Sequence, residues 1–232
     1  NPKLHREAMR YLVNDIYPCI QGEGVNTGVP MMLARLHGCP VECVFCDTRE
    51  TWTIDPDMEV NALRAALGTS TRYARVSPEI IVEQIDELNP RRGITDILLT
   101  GGEPANQDLN ELVRVVHARG YTVNLETSGT ALGHVDAEAD WVCISPKMDN
   151  PSDLPVLPEA VAMADEITWV VGRASDIEEM LTFVDKYPVP DKCNICVQPM
   201  SQSRHATEVC MEACERYGFR LSIQVHKYLS IR

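Results

Sequence analysis

The chain is short of positive charge: 21 Lys and Arg stand against 34 Asp and Glu, a formal net charge of -13. Such an excess of acid repels polyanions at long range, so no nucleic-acid partner is expected. A small anionic ligand is still allowed, because a few local cations and backbone N–H groups dominate inside a closed pocket. The sequence also lacks any run near the roughly 20 uninterrupted apolar residues of a membrane span, and its polar, proline-containing start has no secretory apolar region. A cytoplasmic protein without membrane contact is the expectation. Repeats, low-complexity tracts and dividing linkers are missing too, although 151–158 reads as an irregular connection. With 44% hydrophobic residues in a chain of 232, one domain spanning 1–232 is expected, with 1–8 reading as a leader or cloning remnant ahead of Met9.

What is present alternates. Short apolar, β-rich runs at 31–37, 96–100, 121–126, 141–145, 166–171, 194–198 and 219–224 are candidate strands. Helical patterns lie between them. Ser77 with Pro78 opens one that carries Ile80, Ile81, Ile85 and Leu88 on one face and ends at Asn89-Pro90. A second carries Leu109, Leu112, Val113 and Val116 and stops at Gly120, a third runs from about Ser203 to Gly218, and 177–187 offers another. Repeated strand, helix, strand predicts an α/β fold of parallel strands joined by right-handed crossovers, either a barrel or an open doubly wound sheet.

Each candidate strand is followed by a chemically loaded segment: Gly38-Cys39, Thr100-Gly101-Gly102-Glu103-Pro104, Glu126-Thr127-Ser128-Gly129, Ser145-Pro146-Lys147, Gly172-Arg173, Gln198-Pro199 and His226-Lys227. Any one of them alone is an ordinary βα loop. In parallel α/β folds all such ends share one rim, so seven together predict a single pocket there.

Cys39, Cys43 and Cys46 form a CxxxCxxC cluster directly after a strand, and nine cysteines in a cytosolic-looking chain suggest ligands plus buried thiols rather than a disulfide framework. Three thiolates on a four-iron cube leave one iron open to a small molecule. The amino and carboxylate groups of S-adenosylmethionine (SAM) suit that position, and radical chemistry follows. The competing readings are a structural zinc site with His37 as fourth ligand and a thioredoxin-like pair at Cys43 and Cys46. Cys193 and Cys196 read as buried or idle thiols, Cys210 and Cys214 as helix packing, and Cys19 and Cys143 as without assigned chemistry.

CxxxCxxC with Phe45 before its last cysteine, together with Gly101-Gly102-Glu103-Pro104, resembles the radical SAM superfamily. Gln21-Gly22-Glu23-Gly24, Arg35, Cys46-Asp47-Thr48, Ser145-Pro146-Lys147 and His226-Lys227-Tyr228 narrow the resemblance to the 7-carboxy-7-deazaguanine synthases, over essentially 10–232. The resemblance implies a modified partial (β/α) barrel of the radical SAM type, with the active site at the C-terminal strand ends, in a homodimer. It implies contraction of 6-carboxy-5,6,7,8-tetrahydropterin to 7-carboxy-7-deazaguanine with loss of ammonia, on the route to queuosine and other deazapurines. SAM would be a reusable source of a 5′-deoxyadenosyl radical, and a reductant such as flavodoxin would supply the electron.

The same resemblance lays roles on residues. Ile20, Gln21, Gly22 and Glu23 would recognise the pterin, Arg35 its carboxylate, and Thr100 and His226 would also touch substrate. Phe45, Cys46, Asp47, Gly101, Gly102, Glu103, Ser128, Ser145, Pro146, Lys147, Gln198 and Pro199 would hold SAM. Gly102 is expected there because a Cβ would obstruct the methionyl group. Cys39, Cys43 and Cys46 would hold a [4Fe–4S] cluster and Thr48 a Mg²⁺ ion. A radical SAM activase of a glycyl-radical protein and a zinc-stabilised binding module are the alternatives, and Gln21-Gly22-Glu23-Gly24 with Arg35 argue against the activase.

Overall fold

A computed structural model describes residues 9–229, so the stretch read above as a leader lies outside the described residues. In chain order the elements are β1 (Tyr11–Ile20), β2 (Pro30–Leu36), β3 (Glu59–Val60), α1 (Leu63–Ala66), β4 (Tyr73–Val76), α2 (Pro78–Leu88), β5 (Asp96–Gly101), α3 (Asn110–Ala118), β6 (Thr122–Thr127) and β7 (Trp141–Ile144). There follow α4 (Pro158–Val161), β8 (Glu166–Val171), α5 (Ala174–Lys186), β9 (Asn194–Pro199), α6 (Arg204–Tyr217), β10 (Arg220–Leu221) and α7 (Val225–Leu229). The strands form one sheet in the order β10-β9-β8-β7-β6-β5-β2-β1-β4-β3. From β2 to β10 every neighbour pair is parallel, whereas β1 runs antiparallel to both β2 and β4.

Side-chain alternation along the parallel strands divides structure from chemistry. Ile97 and Leu99, Val123, Val142 and Ile144, Ile167 and Val171, and Val197 join the main core, packed with Ile81 and Ile85 of α2, Leu112 and Val116 of α3, Met180 of α5 and Cys210 of α6. Their neighbours in sequence, Leu98 and Thr100, Asn124 and Glu126, Cys143 and Ser145, Glu166 and Thr168, line a cavity on the opposite face. That is why these strands look half apolar in sequence although both faces are covered.

The helices follow their local signals with small departures. Gly218, at φ 73, closes α6, and Ser203 caps its start by accepting from the Ala206 N–H. Ser77 stands at the start of α2, but its side chain makes no capping hydrogen bond. Ile80 and Leu88, expected on the inner face of α2, are 43% and 39% exposed, because Ile81, Val82 and Ile85 define the buried stripe instead. The final run, expected as a strand over 219–224, pairs only at Arg220–Leu221 before the chain turns into α7.

Sequence patterning missed β1, whose Asn14, Asp15 and Pro18 interrupt the apolar run. Both polar side chains are buried and satisfied at long range. Asn14 donates to the carbonyls of Ser70 and Arg72 at 2.7 and 2.8 Å, and Asp15 accepts from the Gly68 N–H at 3.1 Å. Among the described residues no helix is long and apolar enough to cross a membrane.

Candidate active site at the C-terminal strand ends

One cavity of about 270 Å³ runs along the inner face of the sheet. Cys39, Cys43, Phe45, Cys46, Asp47 and Thr48 line it from one side, with Thr100 to Glu103, Ser128, Ser145, Lys147 and Gln198 from the strand ends and Gln21 and Glu23 from the loop after β1. The expected rim is therefore real for six of the seven loaded segments. Gly172-Arg173 is not part of the lining, because it caps α5 through Asp176, whose carboxylate accepts from both backbone N–H groups at 2.7 and 3.1 Å. Of the last segment Lys227 lines the cavity and His226 does not.

The cysteine loop hangs on two backbone bonds to the segment that follows it, Gly38 N–H to the Thr51 carbonyl at 2.8 Å and Cys39 N–H to the Trp52 carbonyl at 3.0 Å. Burial pushes the Cys39 thiol up to about 11 and raises Cys43 as well, with the Lys147 charge partly offsetting the latter. Cys46 Sγ accepts from the Trp52 indole N–H at 3.3 Å and the Thr48 N–H at 3.4 Å, the kind of donor set that tunes a cluster sulfur. Among the described residues no three His, Cys, Asp or Glu side chains are spaced to ligate a single metal ion. His37 is not among the lining residues: its Nε2 lies 2.9 Å from the Thr53 carbonyl and its ring stacks on Tyr73 at 4.3 Å. The zinc reading with His37 as fourth ligand is therefore overturned. Three thiols around one cavity, one of them held by N–H donors, fit a cube that takes one thiolate per iron.

The Gly-Gly-Glu-Pro segment is stitched to the start of the cysteine loop by Gly102 N–H to the Leu36 carbonyl at 3.0 Å and Glu103 N–H to the Gly38 carbonyl at 2.9 Å. A Cβ on Gly101, at φ 145, would stand 2.1 Å from the Leu36 carbonyl oxygen, and one on Gly102 2.4 Å from that of Gly38. Both glycines are thus required by the approach of two backbones, and both line the cavity. Glu103 is 2% exposed and fully engaged. Its carboxylate accepts from Ala105 N–H at 2.9 Å, Thr127 hydroxyl at 2.5 Å, and both the N–H and the hydroxyl of Ser128. It shapes the rim and sets the Ser128 hydroxyl.

Lys147 Nζ donates to Ser145 Oγ at 2.6 Å and lies 5.7 Å from the centre of the Phe45 ring, so the cation is held over the cysteine side of the cavity. Gln198 is buried and accepts from the Ser222 hydroxyl at 2.9 Å. Pro146 and Pro199 stand beside the lining residues without joining them.

At the other end of the cavity Glu126, which the sequence reading passed over as a site residue, takes Gln21 Nε2 at 2.9 Å and the Thr100 hydroxyl at 2.9 Å on its two oxygens. Burial raises its pKa above the ordinary carboxylate value, and the nearby Glu23 charge adds to the rise. An acid at the loaded C-terminal end of β6, just before Thr127 and Ser128, was the signal available for it. Arg35 does not reach the lining. It donates to the Tyr17 hydroxyl at 3.1 Å and makes no salt bridge among the described residues, so the alternative of an Asp or Glu partner is not realised. Ile20 is 43% exposed and also outside the lining. Gly22 packs on the His226 ring, where a Cβ would sit 2.4 Å from Nδ1. His226 belongs to α7 rather than to a strand end, 3.8 Å from Glu23.

Residues 34–187 match the model of the radical SAM superfamily. The chain therefore belongs to that superfamily and is a radical SAM enzyme. Across 231 residues it is 38% identical to 7-carboxy-7-deazaguanine synthase of Escherichia coli K12, covering 96% of this chain and all of the relative. It is 31% identical to the synthase of Buchnera aphidicola, covering 97% and 100%. The crystal structure of QueE from Escherichia coli superposes with a TM-score of 0.84 at 35% identity, over 94% of this chain and 95% of that one. Within the superfamily the chain is a member of the 7-carboxy-7-deazaguanine synthase family, and its sheet is the partial barrel of that structure.

Proposed function

We propose that the chain contracts 6-carboxy-5,6,7,8-tetrahydropterin to 7-carboxy-7-deazaguanine with loss of ammonia. The observation that carries this reading is one cavity with three thiols at one end and the Gln21, Glu126, Thr100 hydrogen-bonding set at the other. When bound, the [4Fe–4S] cluster and SAM supply a 5′-deoxyadenosyl radical. Cys39, Cys43 and Cys46 would hold the cluster, with Trp52 and Thr48 N–H groups steadying the Cys46 sulfur.

The chain's own groups divide the remaining work. Phe45, Asp47, Gly101, Gly102, Ser128, Ser145, Lys147 and Gln198 surround the SAM side, where Lys147 offers a cation to its carboxylate. Glu103 acts there through Ser128 rather than by contact. Gln21, Glu23 and Thr100 meet the polar edge of the pterin, and Glu126 accepts from its N–H groups. A buried acceptor left unpaired by an analogue costs about 1–3 kcal/mol, so this set discriminates among heterocycles. Arg35 supplies the positive charge for the substrate carboxylate from behind the lining, and Ile20, Gly22 and His226 shape the loop that carries Gln21 and Glu23. Thr48, facing the cavity beside Cys46, would offer a hydroxyl to a Mg²⁺ ion, which would supply charge for the substrate carboxylate. A cytoplasmic location, a homodimer and a reductant such as flavodoxin complete the reading.

Anaerobic reconstitution with iron and sulfide, followed by incubation with SAM, a chemical reductant and the carboxytetrahydropterin, tests it. Deazaguanine formation with SAM recovered unchanged is expected. A loaded protein that cleaves SAM yet leaves the pterin untouched overturns the substrate assignment.

A further inference from the structure

Glu166, the first residue of β8, is a carboxylate at 2% exposure, and it makes no salt bridge among the described residues. It is compensated by neutral donors. One oxygen accepts from the Val25 N–H at 3.1 Å, and the other from the Thr168 hydroxyl at 2.7 Å. The turn above it is shaped to that oxygen pair. Gly24 takes φ 68, where L side chains are strained, and a Cβ there would lie 2.1 Å from Glu166 Oε1. The Gly24 N–H is held in turn by the Ser222 hydroxyl at 2.8 Å, so two successive N–H groups of the turn point into the sheet interior.

This turn belongs to the loop 21–28 that carries Gln21 and Glu23. Two further ties, Asn26 Nδ2 to Asn124 Oδ1 at 3.0 Å and Gln21 Nε2 to Glu126 at 2.9 Å, set its lateral placement on β6. Glu166 is its anchor on β8, four strands from β2 in the order of the sheet. We infer that Glu166 is a positioning residue: its carboxylate fixes the depth of the 21–28 loop, so that Gln21 and Glu23 are held at the substrate end of the cavity before substrate arrives. A buried side-chain oxygen that loses its N–H donor inside the sheet is costly, so withdrawal of the loop from Glu166 is opposed. The inference rests on reading Gln21 and Glu23 as pterin contacts.

The test compares the wild type with Glu166→Ala and Glu166→Gln, each as the full chain. In the metal-free protein, amide hydrogen exchange over 22–28 in Glu166→Ala should quicken by about tenfold or more, while β5 and β6 keep their protection. In the loaded protein the same variant should raise the pterin KM by about tenfold with kcat and pterin-free SAM cleavage within about twofold. Glu166→Gln retains one acceptor and should recover loop protection with a KM within about threefold of wild type. Unchanged exchange over 22–28, or a kcat loss without a KM rise, overturns the inference. If Glu166→Ala does not fold, Gly24→Ala addresses the same contact from the loop side: it should quicken the same amides, and unchanged exchange there sinks the idea. Exchange in the metal-free protein is read without the pterin, so a wild type inactive on pterin would overturn the substrate assignment while leaving the loop anchor measurable.

Discussion

Two loops of similar length face each other across the cavity, and they are ordered by opposite means. The 21–28 loop is tied to residues roughly a hundred or more positions away, Asn124, Glu126, Glu166, Ser222 and Gln224. The 39–48 loop relies mostly on near neighbours, such as Cys46 N–H to the Cys43 carbonyl at 3.0 Å, with Lys227 3.6 Å from Asp47 and Lys147 over Phe45 as its distant side-chain contacts, and it leaves Val44 70% and Phe45 50% exposed. A recognition surface for a polar heterocycle has to be in place beforehand, because its selectivity comes from groups that cannot move to satisfy a wrong partner. A metal-binding loop differs, since metal–thiolate bonds themselves supply ordering energy.

The contrast is broken most severely at the cysteines. Cys39→Ala should retain the fold, by far-ultraviolet circular dichroism, yet lose SAM cleavage altogether. Turnover at the wild-type level would remove Cys39 from the ligand set. Next comes Arg35→Ala, which should keep its iron content while the pterin KM rises roughly tenfold, as expected for losing a nearby charge that acts without direct contact. An unchanged KM would assign Arg35 to Tyr17 alone.

Asn26→Ala cuts one neutral tie of the recognition loop and should raise the pterin KM by about fivefold, with SAM cleavage rates untouched. A drop in iron content instead would show that the two loops are not independent. The smallest effect is expected at Glu126. Its pKa is raised by burial, so the folded chain binds this proton more tightly than the unfolded one, and the group's contribution to stability declines as pH climbs from the ordinary carboxylate value through the raised one. Glu126→Gln should flatten the melting temperature profile on the alkaline side of the ordinary carboxylate range. A profile parallel to the wild type would mean that the carboxylate does not titrate there.

How much of this was legible in the sequence follows the same divide. The 39–48 loop could be read because its three candidate ligand cysteines lie within eight residues, and the parallel strands because each apolar run ends in a loaded loop. Helices α2, α3, α5 and α6 were legible from spacing and stop signals. The ties of the 21–28 loop were not, since Asn26 with Asn124 or Gly24 with Glu166 are pairs joined only by the folded sheet. For the same reason β1 was missed: Asn14 and Asp15 look like loop residues until their partners at 68–72 are brought alongside. His226 was placed at a strand end because Phe219 to Gln224 alternates, whereas Ser222 and Gln224 leave the sheet to bond Gly24 and Glu23.

The alternation that sends Ile97, Val123 and Ile167 to one side of the sheet and Thr100, Asn124 and Thr168 to the other has a practical corollary for anyone wishing to alter what the enzyme accepts. Inward positions can be varied in libraries with little loss of melting temperature, because the layer that holds the helices is written in different letters of the same strands. Tolerance to such variation should stop at the buried acids Glu103 and Glu166, whose donors hold the rim and the 21–28 loop in shape.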